Sequence, residues 1–451
     1  MNISRKQLLI IGGITLLILI VGAVIGLVFW NLSAGSGTER ERESGNPTFG
    51  DTSAPAGESG ASAEQGGARN TFGEKLTTGD RAAPRLWRVA EGPVSAATAY
   101  ASTTGTTSEL IIRYLERGTG HIFEQEVERL ATERLSNNRF TGVQHAVWFP
   151  ADPDRFVIQY LDQSLAFVRT YLGTLTEKPA EEQQQGSTHG VTGTLVEPQG
   201  RVSALAPAPD SGELFYLLEE EGSVTGKIRS AEGEVRPIYP SPFHQATVAW
   251  NTPERITLTT AATRNAPGAI LSIDATSGQE RPLLHGDQGL LGSRSPDGDR
   301  LLYLTFQYQP PALEVEDLTT GEVVPIAQTT LPEKCVWGRA DSTQLYCAVP
   351  RELLRSGDPD AWYQGRHFYT DNIWRFDAVT GEAELLAQVG EFVNRGAPEG
   401  VDGIQLTIDP SDSLLTFVNK RTGALWALRL TDETSEETPT DATTQDGEGS
   451  E

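Results

Sequence analysis

The chain has 451 residues, with 36 Lys plus Arg against 61 Asp plus Glu and a formal net charge of −25. That length holds two or three ordinary domains or one large repeat array, and the acidic balance argues against nucleic acid and anionic lipid headgroups as partners, which need a basic footprint. Two cysteines exclude a disulfide framework, an Fe–S cluster and a four-Cys zinc site.

Arg5 and Lys6 precede LLIIGGITLLILIVGAVIGLVFW, residues 8–30, a stretch without a charge. At helical rise it is long enough to cross about 30 Å of hydrocarbon, and it exceeds the apolar core of a cleaved signal peptide. Trp30 sits where an interfacial aromatic anchor belongs. The expectation is an uncleaved transmembrane helix, with residues 1–7 in the cytoplasm and the rest extracytoplasmic, at the cell surface or in a periplasm-like space. Residues 31–84 are rich in Gly, Ser, Ala and Glu and lack apolar periodicity, which predicts a flexible tether. Residues 431–451 are acidic and low in complexity, which predicts a disordered tail.

Between these segments, residues 85–430 carry a repeat. Inner-strand candidates read VSAATAY from Val94, VQHAVWF from Val143, VSALAPA from Val202, ATVAWN from Ala246, GLLGSRS from Gly289, KCVWGR from Lys334 and GIQLTID from Gly403. Each precedes a turn and a second apolar strand (ELIIRY, RFVIQY, ELFYLL, RITLTT, RLLYLT, QLYCAV, SLLTFV), then a third. Alternation with period two, broken by Gly, Pro, Asp and Ser, is the strand-and-turn signature. Trp148, Trp250 and Trp337 fall at one place in their units and Trp374 and Trp426 at another, as packed blade faces require. The seventh unit ends without a fourth strand, whereas RLWRVAEG, residues 85–92, stands spare before the first. The expected fold is therefore all-β: a seven-bladed β-propeller of four-stranded antiparallel blades, its ring closed by the N-terminal strand so that no long edge is left open.

The fifth unit, SRSPDGDRLLYLT followed by ALEVEDLTTGE, resembles the TolB-type, WD40-like propeller repeat. Ser295, Pro296, Asp297, Gly298, Thr320, Gly321 and Glu322 carry the likeness, and Pro209, Asp210, Ser277, Gly278, Thr380, Gly381 and Glu382 keep fragments of it. Anchor, tether, KCVW…LYC hairpin and PDAWYQG…DNIW insert together resemble uncharacterised membrane-anchored propellers of small-genome bacteria. The TolB likeness implies an interaction module at the cell envelope, by analogy of fold.

Pairing Val336 with Tyr346 in the sixth unit's hairpin sets Cys335 opposite Cys347, within reach of a disulfide that an extracytoplasmic site permits; two buried thiols are the alternative. No GxSxG, HExxH, P-loop or Rossmann fingerprint is present, and the six His are dispersed. Carboxylates in PDGD, ADPD and DPSDS fit turn capping better than calcium loops. No catalytic residue, cofactor or metal is implied.

One insert is long. Residues 351–371, RELLRSGDPDAWYQGRHFYTD, join second and third strands where other units turn in a few residues. Asp360, Trp362, Tyr363, Arg366, His367 and Tyr369 make it aromatic and polar, suited to peptide or glycan contact; a self-packed cap over the channel is the alternative. Residues 177–189 read as a solvated loop. The function expected is an extracytoplasmic interaction or scaffold module for an envelope protein or glycan. The alternatives are a propeller hydrolase or lyase acting on cell-surface polymers and a purely structural envelope protein.

Overall fold

Short apolar runs separated by Asp, Gly and Pro turns pair here as successive hairpins, and each hairpin set closes into one blade. In this computed structural model, residues 84–430 are described apart from 105, 106, 163, 165, 166, 185, 198, 199 and 262. The described residues form seven four-stranded antiparallel sheets. The innermost strands are Val94–Thr104, Val143–Phe149, Arg201–Pro207, Ala246–Thr252, Leu291–Arg294, Cys335–Trp337 and Gly403–Ile408, and they define blades 1 to 7 in that order. The fold is a seven-bladed β-propeller. The expected anchor at residues 8–30, nearly all of the tether and the acidic tail lie outside the described residues. Among those described, no helix is long and apolar enough to cross a membrane.

Burial follows position in the blade. Second strands such as Leu214–Glu220 and Leu414–Asn419 are buried on both faces, because each blade is sandwiched between two others. Fourth strands such as Val235–Ser241 lie at the rim and are mostly exposed. The apolar clusters accordingly fill the spaces between blades: Leu302, Leu304, Val315, Leu345, Cys347 and Phe376, for example, join blades 5 and 6. Cys335 pairs with Cys347 in register, their Cα atoms are 4.1 Å apart and their sulfurs are bonded.

Ring closure is made by Leu86–Ala90, which pairs antiparallel to Leu425–Arg429 as the outermost strand of blade 7. Its alternation serves both faces. Leu86 enters the core between blades 6 and 7, and Trp87 and Val89 enter the core between blades 7 and 1. Trp87 Nε1 also donates to Gln125 Oε1 of blade 1 at 2.9 Å. At the seam, Val94 N donates to Gly423 O at 2.9 Å. Gly423 has φ +75°, and a Cβ there would stand 2.6 Å from Pro93 Cα, so the seam needs glycine on both counts.

Turn aspartates are spent on their own backbones. Asp274 Oδ1 accepts from Thr276 N and Ser277 N, Asp317 Oδ1 from Thr319 N and Thr320 N, and Asp377 Oδ1 from Val379 N and Thr380 N. The loop at residues 177–189 carries a single 3₁₀ turn, Ala180–Glu182, without a buried residue.

Candidate functional site

The insert of residues 351–371 leaves blade 6 on the face that also carries the connections between blades, and a second polar chain segment meets it there. Its one helical turn, α1 (Asp360–Tyr363), and the longer α2 (Val389–Asn394) in the connection from blade 6 to blade 7 are the described α-helices of the chain. The insert is tied down at both flanks. Toward blade 4, Arg264 N donates to Asp360 Oδ2 at 2.8 Å and Arg264 Nη1 to Asp358 O at 3.2 Å. Toward blade 7, Asp371 N donates to Val401 O at 2.8 Å.

Beneath it lies a buried ionic network. Lys334, wholly inaccessible, ends the 3₁₀ turn Pro332–Lys334 that leads into blade 6, and its Nζ lies 2.8 Å from Asp371 Oδ2 and 2.7 Å from Asp402 Oδ1. Asp402 Oδ2 accepts from Trp362 Nε1 at 2.9 Å and from Tyr369 N at 3.0 Å. Asp371 Oδ2 also accepts from Gly403 N at 2.7 Å, while its Oδ1 is buried without a hydrogen bond. Two carboxylates facing one ammonium leave a surplus negative charge out of water. Burial first, and the Asp402 charge after it, push the Asp371 carboxyl up to about 6 against the pull of Lys334.

The six sequence-predicted residues divide on this platform. Trp362 and Tyr369 are buried, and the Lys334 ammonium stands 5.4 Å from each ring centroid. The Tyr369 hydroxyl donates to Asp358 Oδ2 and accepts from Arg355 N at 2.9 Å. His367 is nearly buried, its Nε2 3.1 Å from Asp358 Oδ1 but out of line for a hydrogen bond. Burial acts to raise Asp360, but hydrogen bonds from Arg264 and Thr263 and the Arg264 charge hold it below its ordinary value. Tyr363 and Arg366 remain open to solvent. Trp362 and Tyr369 are thus anchors of the loop, and of the six only Tyr363 and Arg366 are exposed.

Two further groups complete the face. Tyr363 Oη donates to Glu333 Oε2 at 2.9 Å. The Glu333 side chain is exposed to solvent, yet protein packed around its carboxyl desolvates it and raises it to about 7 against the Tyr363 hydrogen bond, Lys420 and Lys334. Lys420 Nζ lies 3.2 Å from the Trp362 ring centroid and donates to Trp362 O at 2.5 Å; burial first, and Lys334 beside it, lower its pKa to about 8. On the same face, the second-to-third-strand loops of blades 5 and 6 expose Tyr308 and Leu353 at 59 and 78%, and that of blade 2, across the ring, exposes Phe167 at 61%. On the opposite face the exposed large apolar residues are aliphatic: Val235, Val323 and Val379.

Sequence reasoning missed Glu333, Lys334, Asp371, Asp402 and Lys420 as a set. They come from the approach to blade 6, the insert's last residue, the approach to blade 7 and a turn within blade 7, so no local spacing joins them. The one signal available was Lys334 beside an apolar inner strand. Among the described residues, no three His, Cys, Asp or Glu side chains converge as a metal site would need.

Neither a protein-family model nor a curated protein matches the chain. Solved propellers do. TolB from Acinetobacter baumannii is 11% identical over 64% of this chain and 78% of its own, with a TM-score of 0.39. The Neurospora crassa Pan2 WD40 domain is 10% identical over 76% of this chain and 90% of its own, at 0.45. A streptogramin B lyase is 12% identical over 77% and 97%, also at 0.45. The likeness is one of fold.

Proposed function

We propose that the chain is a membrane-anchored, extracytoplasmic β-propeller that serves as a protein or glycan interaction or scaffold module at the cell envelope, with the insert face as its contact surface. The observation that carries this reading is the exposed set Tyr308, Leu353 and Tyr363 of blades 5 and 6, with Arg366 beside it, on a platform whose anchors are buried and hydrogen-bonded. Exposed aromatics and Arg on a rigid base are the composition of binding hot spots. The anchor and tether expected at residues 8–84 support a role outside the cytoplasm, and the net charge of −25 supports partners other than nucleic acid.

The test is affinity capture from envelope extract on the detergent-solubilised full chain, beside a Tyr363→Ser, Arg366→Glu double variant. Both residues are exposed, so the variant should melt as the parent does. A protein or glycan retained by the parent and lost with the variant is the expected result. Retention unchanged by the double variant would remove the contact surface from this loop.

A second reading, a hydrolase or lyase acting on cell-surface polymers, is favoured by one observation. Glu333 near 7 and Lys420 near 8 lie close enough for each charge to act on the other, as an acid–base pair would. It carries less, because Glu333 is engaged in holding Tyr363 and Lys420 in stapling Trp362.

A further inference from the structure

A cavity of about 610 Å³ runs along the ring axis, lined by residues of all seven blades, and it does not include the insert. That volume is the size of a small-molecule site. Its wall is mainly apolar, and three tryptophans at the downstream ends of inner strands, Trp148, Trp250 and Trp337, come from alternate blades 2, 4 and 6. Among the lining residues described, Arg339 carries the one permanent charge.

Arg339 is placed as a bar across the mouth that faces away from the insert. It follows the inner strand of blade 6, yet its Nη2 donates to Pro150 O of blade 2 at 3.3 Å, and blade 2 stands nearly opposite blade 6 in the ring. The nearby carboxylates are occupied. Asp412 takes the backbone N–H groups of Arg339 and Asp341, and Asp409 takes those of Ser411, Ser413 and Leu414. The guanidinium therefore has no ion pair among the described residues and spends one of its five donors on a neutral carbonyl at long range. Partial burial lowers its pKa, with Asp409 and Asp412 opposing.

Two features of the wall point the same way. Gln405 holds φ +51° at a bulge between Ile404 and Thr407, and this unusual backbone for a residue with a side chain falls on the cavity wall. His145 lines the cavity with its side chain open to solvent and no hydrogen bond among the described residues, and desolvation lowers its pKa. Both offer neutral polar groups to a bound molecule.

We propose that the channel is a binding site for a small organic carboxylate with an apolar body, its carboxylate taken by Arg339 and its body laid against Trp148, Trp250 and Trp337. A planar carboxylate matches the guanidinium fork in a bidentate pair, and one cation in an otherwise uncharged wall suits a monoanion better than a phosphate dianion. The site lies at the other end of the ring from the insert and does not depend on the envelope partner.

The experiment is isothermal titration of the full-length protein in detergent with phenylacetate, 4-phenylbutyrate and cyclohexanecarboxylate, each beside its neutral amide, with tryptophan emission recorded in parallel. Saturable one-to-one binding of at least one carboxylate, with a change in emission, is expected. Its affinity should fall by about tenfold or more for the amide and in Arg339→Gln, which is about 1.4 kcal/mol, while Arg339→Gln melts as the parent does. Absence of saturable binding by every carboxylate at millimolar concentration overturns the proposal. So does equal binding of acid and amide, or binding by Arg339→Gln at the parent's affinity.

Discussion

At the residue scale, Lys334 sits between Asp371 and Asp402 with no access to water, so its charge is compensated by geometry alone. Breaking such a network by truncating one member typically costs about 3–5 kcal/mol, because the remaining charges stay buried. Asp371 is the strained member. Its carboxyl is raised to about 6 in the folded protein, above its value in an unfolded chain, so the folded state binds the proton more tightly. Stability from this group is therefore present at low pH and is lost as pH rises toward 6. Asp371→Asn should keep an acceptor for Lys334 and Gly403 while removing the titration. In urea unfolding, the difference between Asp371→Asn and the parent should move in favour of the variant from about pH 4 to about pH 6 and stay level above. A difference independent of pH would mean that the Asp371 carboxyl titrates as in an unfolded chain.

At the element scale, the closing strand Leu86–Ala90 ties the two ends of the chain together. Trp87 is 6% exposed and bonded to Gln125, so it couples blade 7 to blade 1 by apolar contact and one hydrogen bond. Trp87→Ala should cost about 3–5 kcal/mol, seen as a lower melting temperature and greater sensitivity to proteolysis at the seam. Stability equal to the parent would contradict closure by this strand. The closure was legible beforehand because strand counting needs only the alternating pattern, and RLWRVAEG was the one unpaired run. Two pieces were less legible. Helix α2 follows blade 6 with Gln388 and Glu391 as a reciprocal cap, but six residues with a single buried Phe392 give no helical period to read. The insert was visible as long and aromatic, but which aromatics face inward is decided by Asp402 and Asp358, one of them in another connection.

At the scale of the whole molecule, the sequence carried the blade number, the order of the inner strands and the Cys335–Cys347 register, since each follows from short-range pairing. It did not carry the ionic network, whose members come from separate connections of blades 6 and 7, or the Arg339 bar, which joins blades distant in the chain. What the ring presents is asymmetric: aromatic side chains and Arg366 on the insert face, isolated valines on the other. That asymmetry is the basis for assigning the contact surface, and photo-crosslinking in the native envelope tests it most directly. A photoreactive phenylalanine analogue would be placed in the full chain at position 363 or 308 and, for comparison, at 323 or 379. The account predicts crosslinked adducts of higher mass from 363 and 308 and none from 323 and 379. Adducts from 323 and 379 alone, or none from any position, would contradict it.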